Sequence, residues 1–296
     1  MQAGRTEWVA ENIRRILAPN PSPMTGHGTN TYLIGQGGGH LLVDPGPDDP
    51  VHLAAIMAAL SPDETVKAIV VTHAHLDHTA LARALQARTN APVFAFGGAT
   101  TGRSPTMTAL VAAGLTGGGE GCDMAFQPDH LISEGSTLSG DWGEVQVLHT
   151  PGHMGCHISL LHQDRLFSGD QIMGWSTSIV SPPDGDMADY MAQLLRIQAL
   201  NVSMILPGHG AEIRHPHHRI EELLTHRRAR EAQVLAALGT ASGSAETLAQ
   251  KIYHDVPAAL LPAASRNVLA HLIDLEQRKV VRTERGIVPG AIFSLC

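Results

Sequence analysis

The sequence predicts an α/β protein, with sheets covered by helices and a small winged-helix module at the end. Short apolar runs alternate with helical patterns over most of the 296 residues. Histidines and aspartates gather where several of those runs end. The tail then changes to a helix, turn, helix and strand-pair order.

The elements follow in order. Residues 1–20, MQAGRTEWVAENIRRILAPN, are amphipathic and mixed in charge. They have no apolar core and no small-residue cleavage site, and Glu7 and Glu11 argue against a transit peptide despite Arg14 and Arg15. TYLI and HLLVD read as paired strands around a glycine turn at residues 37–39. VHLAAIMAAL has helical spacing, KAIVVT is a buried strand, and TALARALQA is helical again. PVFAF, EVQVLHT, HISLLH, RLFSGD and VSMILPG are short strands, with DMADYMAQLLRIQAL a helix between the last two. Residues 97–123, rich in Gly and Thr, read as a surface insertion with about one helical turn, either a lid or a plain loop. A long helix, HRIEELLTHRRAREAQVLAAL, leads to GTASG, a linker that divides the chain into residues 1–239 and 240–296. SAETLAQKIY and AASRNVLAHLIDLEQRK are then the tail helices, and VVRT and AIFSL its strand pair.

Composition excludes several chemistries. No Gly-Lys-Ser/Thr, Ser-x-x-Lys or GxSxG pattern occurs, and the glycine clusters do not spell a dinucleotide fingerprint. No apolar run approaches the roughly 20 residues that cross a bilayer. Cys122, Cys156 and Cys296 form neither a disulfide framework nor a metal pair, as in a reducing compartment, and a cytoplasmic protein is expected. The net charge is −8, which disfavours a nucleic-acid partner held by bulk electrostatics. Residues 1–239 carry 14 basic against 23 acidic side chains and residues 240–296 carry 6 against 5, so neither part is strongly basic. Eighteen histidines beside three lysines point instead to metal.

The decisive segment is His73-Ala74-His75-Leu76-Asp77-His78, directly after KAIVV. His73 and His75, two apart, can face one ion, whereas Asp77 and His78 begin a helix and face another. His153 in HTPGH, Asp170 at the end of RLFSGD and His209 in LPGHG supply further ligands from strand ends and Pro/Gly-marked loops. A carboxylate can bridge two cations, so the expected sets are His73, His75, His153 and Asp170, and Asp77, His78, His209 and Asp170. Two divalent ions are implied, zinc first, with manganese or iron as alternatives.

HAHLDH, HTPGH, FSGD and LPGHG, in that order, resemble the metallo-β-lactamase superfamily. The resemblance implies an αββα sandwich with a dimetal site on the sheet edge and assigns the same seven ligands. It also implies that Asp44, in LLVDPG, orients a ligand histidine; a plain turn aspartate is the alternative. NPSPMTGHGTNTYLIG, CHISLL and HRRAREAQVL before the winged-helix pattern resemble the lactamase-beta-like protein 2 type over nearly the whole chain. The common zinc β-lactamases carry a cysteine where Asp170 stands, which argues against antibiotic hydrolysis. Flavodiiron oxidoreductases carry a glutamate where His75 stands, and glyoxalase II has a helical tail in place of the winged helix.

Other residues admit two readings each. His215, His217 and His218 are solvated loop histidines or a stray metal site, and His27 is loop or pocket lining. Cys156 is a packed thiol rather than a ligand. Trp175 and Tyr190 are core or loop anchors, or aromatics stacking on a base or covering an acyl chain. Arg266, Arg278 and Lys279 are a solvated helix face or phosphate contacts. The expected chemistry is attack by hydroxide formed between two cations on a carbonyl carbon or a phosphorus, with Asp77 as catalytic proton carrier. The substrate is an acyl thioester or ester, or alternatively single-stranded RNA; persulfide oxidation and a winged-helix DNA-binding regulator are further readings. The tail packs on the catalytic part and shapes one pocket wall, and a homodimer is compatible with the sequence.

Overall fold

In the computed structural model, residues 2–116, 119, 121–254, 257 and 260–296 are described. The first sheet has seven strands in sequence order: β1 (Thr6–Ala10), β2 (Ile13–Leu17), β3 (Asn30–Ile34), β4 (Gly39–Val43), β5 (Thr65–Val70), β6 (Val93–Ala95) and β7 (His130–Leu131). The second runs β12 (Met204–Pro207), β11 (Arg165–Gly169), β10 (Ile158–His162), β9 (Gly143–His149) and β8 (Thr137–Gly140). Helices α1 (Pro50–Ala58), α2 (Leu76–Thr79), α3 (Ala82–Thr89) and α4 (Pro105–Ala112) belong to the first half. Helices α5 (Met187–Gln198) and α6 (Pro216–Thr240) follow the second sheet.

Strand alternation builds the four layers. In β3 and β4, Leu33 and Leu42 point to one side, where they pack with Ile56 of α1 and Leu85 of α3. Tyr32, Ile34, Leu41 and Val43 point the other way and meet Val145, Val147, Leu160 and Phe167 between the sheets. Leu148, Leu166 and Ile205 of the second sheet pack outward on Leu194 of α5 and Ile220 of α6. Both sheets are thus covered on both faces, which is why β3 and β4 are buried along their whole length. The αββα sandwich is present.

The tail holds α7 (Ala245–Ile252), α8 (Leu261–Gln277) and the antiparallel pair β13 (Val281–Thr283) and β14 (Phe293–Leu295). Its core takes Leu248, Leu272 and Phe293 from the tail itself, Val234 and Leu238 from α6, and Met107 and Leu115 from the 97–123 insertion. The insertion therefore has more order than one helical turn: α4 has eight residues, capped by Ser104. No helix among the described residues is long and apolar enough to cross a membrane.

The first twenty residues form a hairpin that their amphipathic pattern leaves unassigned. Arg14 and Arg15 stand side by side in β2, each only 5% exposed, because acids distant in sequence meet them. Arg14 donates to Glu64 through two nitrogens at 2.9 and 3.0 Å and to the Ala59 carbonyl at the end of α1. Arg15 pairs with Glu7 and with Glu212. Burial pushes the Glu64 carboxyl up, but Arg14 and the Ser61 N–H outweigh it and hold the group at about 2.

Glu64→Gln is expected to destabilise the protein by about 1.5–3 kcal/mol at pH 7, the usual worth of hydrogen bonds to a charged group. Because the folded carboxyl sits at about 2 against its ordinary 4.5, the pair's contribution is complete above 4.5 and fades as pH falls toward 2. Denaturant unfolding of both proteins across that range should show the gap closing with acid; equal stability at pH 7 would refute the clamp.

Candidate metal centre

Parallel pairing puts the ends of β4 and β5 side by side, and likewise those of β11 and β12. Four loops consequently open on one edge of the sandwich, where α/β sheets commonly carry their ligands. His73 and His75 lie between β5 and α2, and Asp77 and His78 in α2. His153 follows β9, Asp170 follows β11 directly, and His209 follows β12.

The structure brings all seven together. His75 Nδ1 lies 2.9 Å from His73 Nε2 and 3.1 Å from His153 Nε2. Asp170 Oδ2 is 3.9 Å from each of those two Nε2 atoms. Beside them, Asp77 Oδ2 is 3.6 Å from His78 Nε2 and 3.3 Å from His209 Nε2. Asp170 reaches this second group as well, with Oδ1 at 3.6 Å from His78 and Oδ2 at 3.3 Å from His209.

Hydrogen bonds on the far side of four of the five rings fix what faces inward. His78 Nδ1 donates to Asp44 Oδ2 (2.9 Å), His153 Nδ1 to the Ile179 carbonyl (2.7 Å) and His209 Nδ1 to the Gly28 carbonyl (3.2 Å). His73 Nδ1 meets the Thr72 hydroxyl, which donates to Asp44. Four Nε2 atoms, His75 Nδ1 and two carboxylates therefore converge. His78 Nε2 and Asp170 Oδ1 are buried with no hydrogen-bond partner. Such a donor set fits cations. Ligand atoms about 2.0–2.1 Å from one zinc in a tetrahedron stand about 3.4 Å apart, and the separations here bracket that figure. Gly208 leaves the necessary room, since a Cβ there would fall 2.4 Å from Asp170 Oδ1.

Electrostatics divide the two groups. Burial, followed by the His153 imidazole, brings His75 down to about 3. Burial, then His78 and His75, holds His73 low as well. The first group is thus a cluster of neutral imidazoles. Burial also opposes charge on His78, but the Asp77, Asp44 and Asp170 carboxylates outweigh it and raise the group to about 10. Three carboxylates thus act on His78, whereas the first group is mostly imidazole.

Asp44 is 2% exposed and takes a left-handed backbone, φ 53°, a conformation uncommon outside glycine. From there it accepts from the Thr72 N–H and hydroxyl as well as from His78. His157, at the head of the apolar run HISLLH, accepts the Asp170 N–H through Nε2 and is braced by Thr150. Its signal was a histidine inside an apolar strand run, which reads as core.

The cavity over this cluster has a volume of about 510 Å³. His75, Asp77, His153, Asp170 and His209 form its floor. Met24, Met173 and Ile179 line its wall, and Pro262, Ala263 and Arg266 of α8 line it from the tail. Gly119, Gly121 and Cys122 of the insertion line it too, tied down where Gly119 N–H donates to Asp184. Among the other candidates, His27, His215, His217 and His218 are exposed and His27 does not line the cavity. Cys156 is buried, and burial pushes its thiol up to about 11. Tyr190 is core, whereas Trp175 is 46% exposed, its ring against Gly26 and Gly210. Arg278 is engaged with Glu231 and Asp274, and Arg266 points to the catalytic side, donating to the Pro182 carbonyl at 3.5 Å.

Residues 24–209 match the metallo-beta-lactamase superfamily, and residues 244–287 match the beta-lactamase associated winged helix domain. The chain belongs to the metallo-beta-lactamase superfamily. It is 31% identical to the beta-lactamase-like protein 2 homolog of Drosophila melanogaster, over 94% of this chain and 92% of that one. It is 29% identical to the atrochrysone carboxyl ACP thioesterase of Aspergillus fumigatus, over 78% of this chain and 66% of that one. A crystal structure of a beta-lactamase domain protein from Burkholderia ambifaria superposes with a TM-score of 0.81 at 23% identity, over 99% of this chain and 94% of that one. The superfamily typically binds metal ions, in keeping with the His/Asp cluster found here.

Asp44→Asn keeps the size of the side chain but removes one of the acceptors that His78 and Thr72 require. Metal affinity of the second group is expected to fall about 10–100-fold, as for other partners of ligating histidines. Titration of the metal-stripped protein against a chelator would check this, and unchanged affinity would assign Asp44 to the turn alone.

Proposed function

We propose that the protein is a dinuclear metal-dependent hydrolase of acyl thioesters or related esters. The cavity carries this reading: its floor is the His/Asp cluster and much of its wall is apolar, from Pro23, Met24, Met173, Ile179, Pro262 and Ala263. Such a wall suits an acyl chain and offers little to a phosphodiester backbone, for which Arg266 would be the main cationic contact. The name of the fungal thioesterase relative supports the same class. Zinc is the proposed ion, since imidazole and carboxylate donors suit it and Asp77 and Asp170 offset part of its charge.

When bound, two divalent cations supply Lewis acidity and lower the pKa of water from about 15.7 to about 7. Asp170, which lies within 4 Å of histidines of both groups, would hold both. Asp77 has the freer carboxylate, its side chain 27% exposed against 10% for Asp170, and Thr29 donates to its Oδ2 at 3.0 Å. Asp77 therefore orients the attacking water toward the carbonyl carbon, takes its proton, and passes that proton to the departing sulfur or oxygen. The methionine and winged-helix walls hold the acyl group and keep bulk water from it.

Chelation is expected to abolish activity on an acyl thioester, and zinc to restore it. Asp77→Asn should lower kcat by about 10²–10⁴-fold. Parallel assays with a fluorescent single-stranded RNA test the substrate: RNA cleavage without thioester turnover would replace the proposed class by a ribonuclease.

A further inference from the structure

We propose that the winged-helix tail is a working part of the metal centre, in which Asn267 of α8 and Arg227 of α6 position His153 and Asp170. The inference rests on the metal-centre reading above and concerns positioning residues, which touch neither metal nor substrate.

The connection runs through residues 176–181, which form neither helix nor strand. Among the described residues, no main-chain hydrogen bond joins residues 176–180 to another part of the backbone. Side chains hold the segment instead. Asn267 Oδ1 accepts the Val180 N–H at 3.2 Å and Arg227 Nη1 at 3.0 Å, while its Nδ2 donates back to Ala263 and so fixes the amide's orientation. Arg227 also donates through Nη2 to the Ser178 carbonyl. Two of the residues so gripped act directly on the cluster. The carbonyl of Ile179, between Ser178 and Val180, takes the His153 Nδ1 proton at 2.7 Å. The Ser178 hydroxyl donates to the Asp170 carbonyl at 2.5 Å and to the Gln171 carbonyl at 3.1 Å.

Arg227 is built for this task. It is 2% exposed, its guanidinium stacks on Tyr190 at 5.0 Å, and no carboxylate pairs with it among the described residues. A buried guanidinium without an acid partner is costly, yet this one is committed to a carbonyl and an amide oxygen of the loop network. The same stretch of α8 supplies Pro262, Ala263 and Arg266 to the cavity wall. One turn of that helix both faces the substrate space and secures the ligand loop.

The test uses the full chain loaded with cobalt(II), comparing wild type, Asn267→Leu and Asn267→Asp. The d–d absorption spectrum, the dissociation constant of each ion by chelator competition, and the thermal melt are read for each. Leucine removes the acceptor, so the ion held by His73, His75 and His153 should bind about 10–100-fold more weakly, with an altered spectrum and the other ion retained. Aspartate keeps the acceptor and should restore wild-type binding and spectrum. Unchanged affinity and spectrum in Asn267→Leu would overturn the proposal. So would equal loss in both variants with a lowered melt, the mark of a general packing defect. Failure of the wild type to bind cobalt would instead overturn the metal-centre reading itself.

Discussion

Seven histidine and aspartate side chains packed at one sheet edge are the constraint to which the rest of the molecule answers. Carboxylates and imidazoles taken out of water carry a desolvation cost that neighbouring protein groups normally offset with hydrogen bonds. Here His78 Nε2 and Asp170 Oδ1 have no such partner, and the first group's inward-facing nitrogens meet mainly one another. The outward-facing atoms, by contrast, are almost all bonded. That arrangement, anchored behind and only partly satisfied in front, suits cations.

Rigidity behind the candidate ligands comes from three separate parts of the chain. Asp44, at the end of β4, binds Thr72 and His78 together and so joins the strand that launches the ligands to the helix that receives them. His157, directly before β10 of the second sheet, secures the Asp170 backbone. The loop after Asp170 closes the far side. A left-handed aspartate and a buried imidazole in an apolar strand are local costs, and they occur where the position of a ligand depends on them.

Much of this was legible before any coordinates. The strand pattern around KAIVV and RLFSGD and the density of His and Asp at strand ends gave the layers and the residues that converge. Patterns repeat locally, and those features are local. The N-terminal hairpin was not legible, because adjacent arginines in β2 mimic an exposed segment unless Glu64 and Glu212 are known to come back to them. His157 was hidden for the converse reason: one polar residue within an apolar run carries no sign of its distant partner. The insertion at residues 97–123 looked loose in composition, yet Met107 and Leu115 find their partners in the tail. What escaped in each case was a contact between residues far apart in sequence.

Helix α6 runs for 25 residues, Pro216–Thr240, without interruption, about 37 Å at the usual rise. Ile220, Leu223 and Leu224 near its start belong to the core under the second sheet, and Val234 and Leu238 near its end to the core of the tail. Two evolutionary modules thus share a single rod, and neither can lose its half without fraying the other's. The shared helix couples the two cores, so heat is expected to find a single cooperative transition where the sequence shows two building blocks.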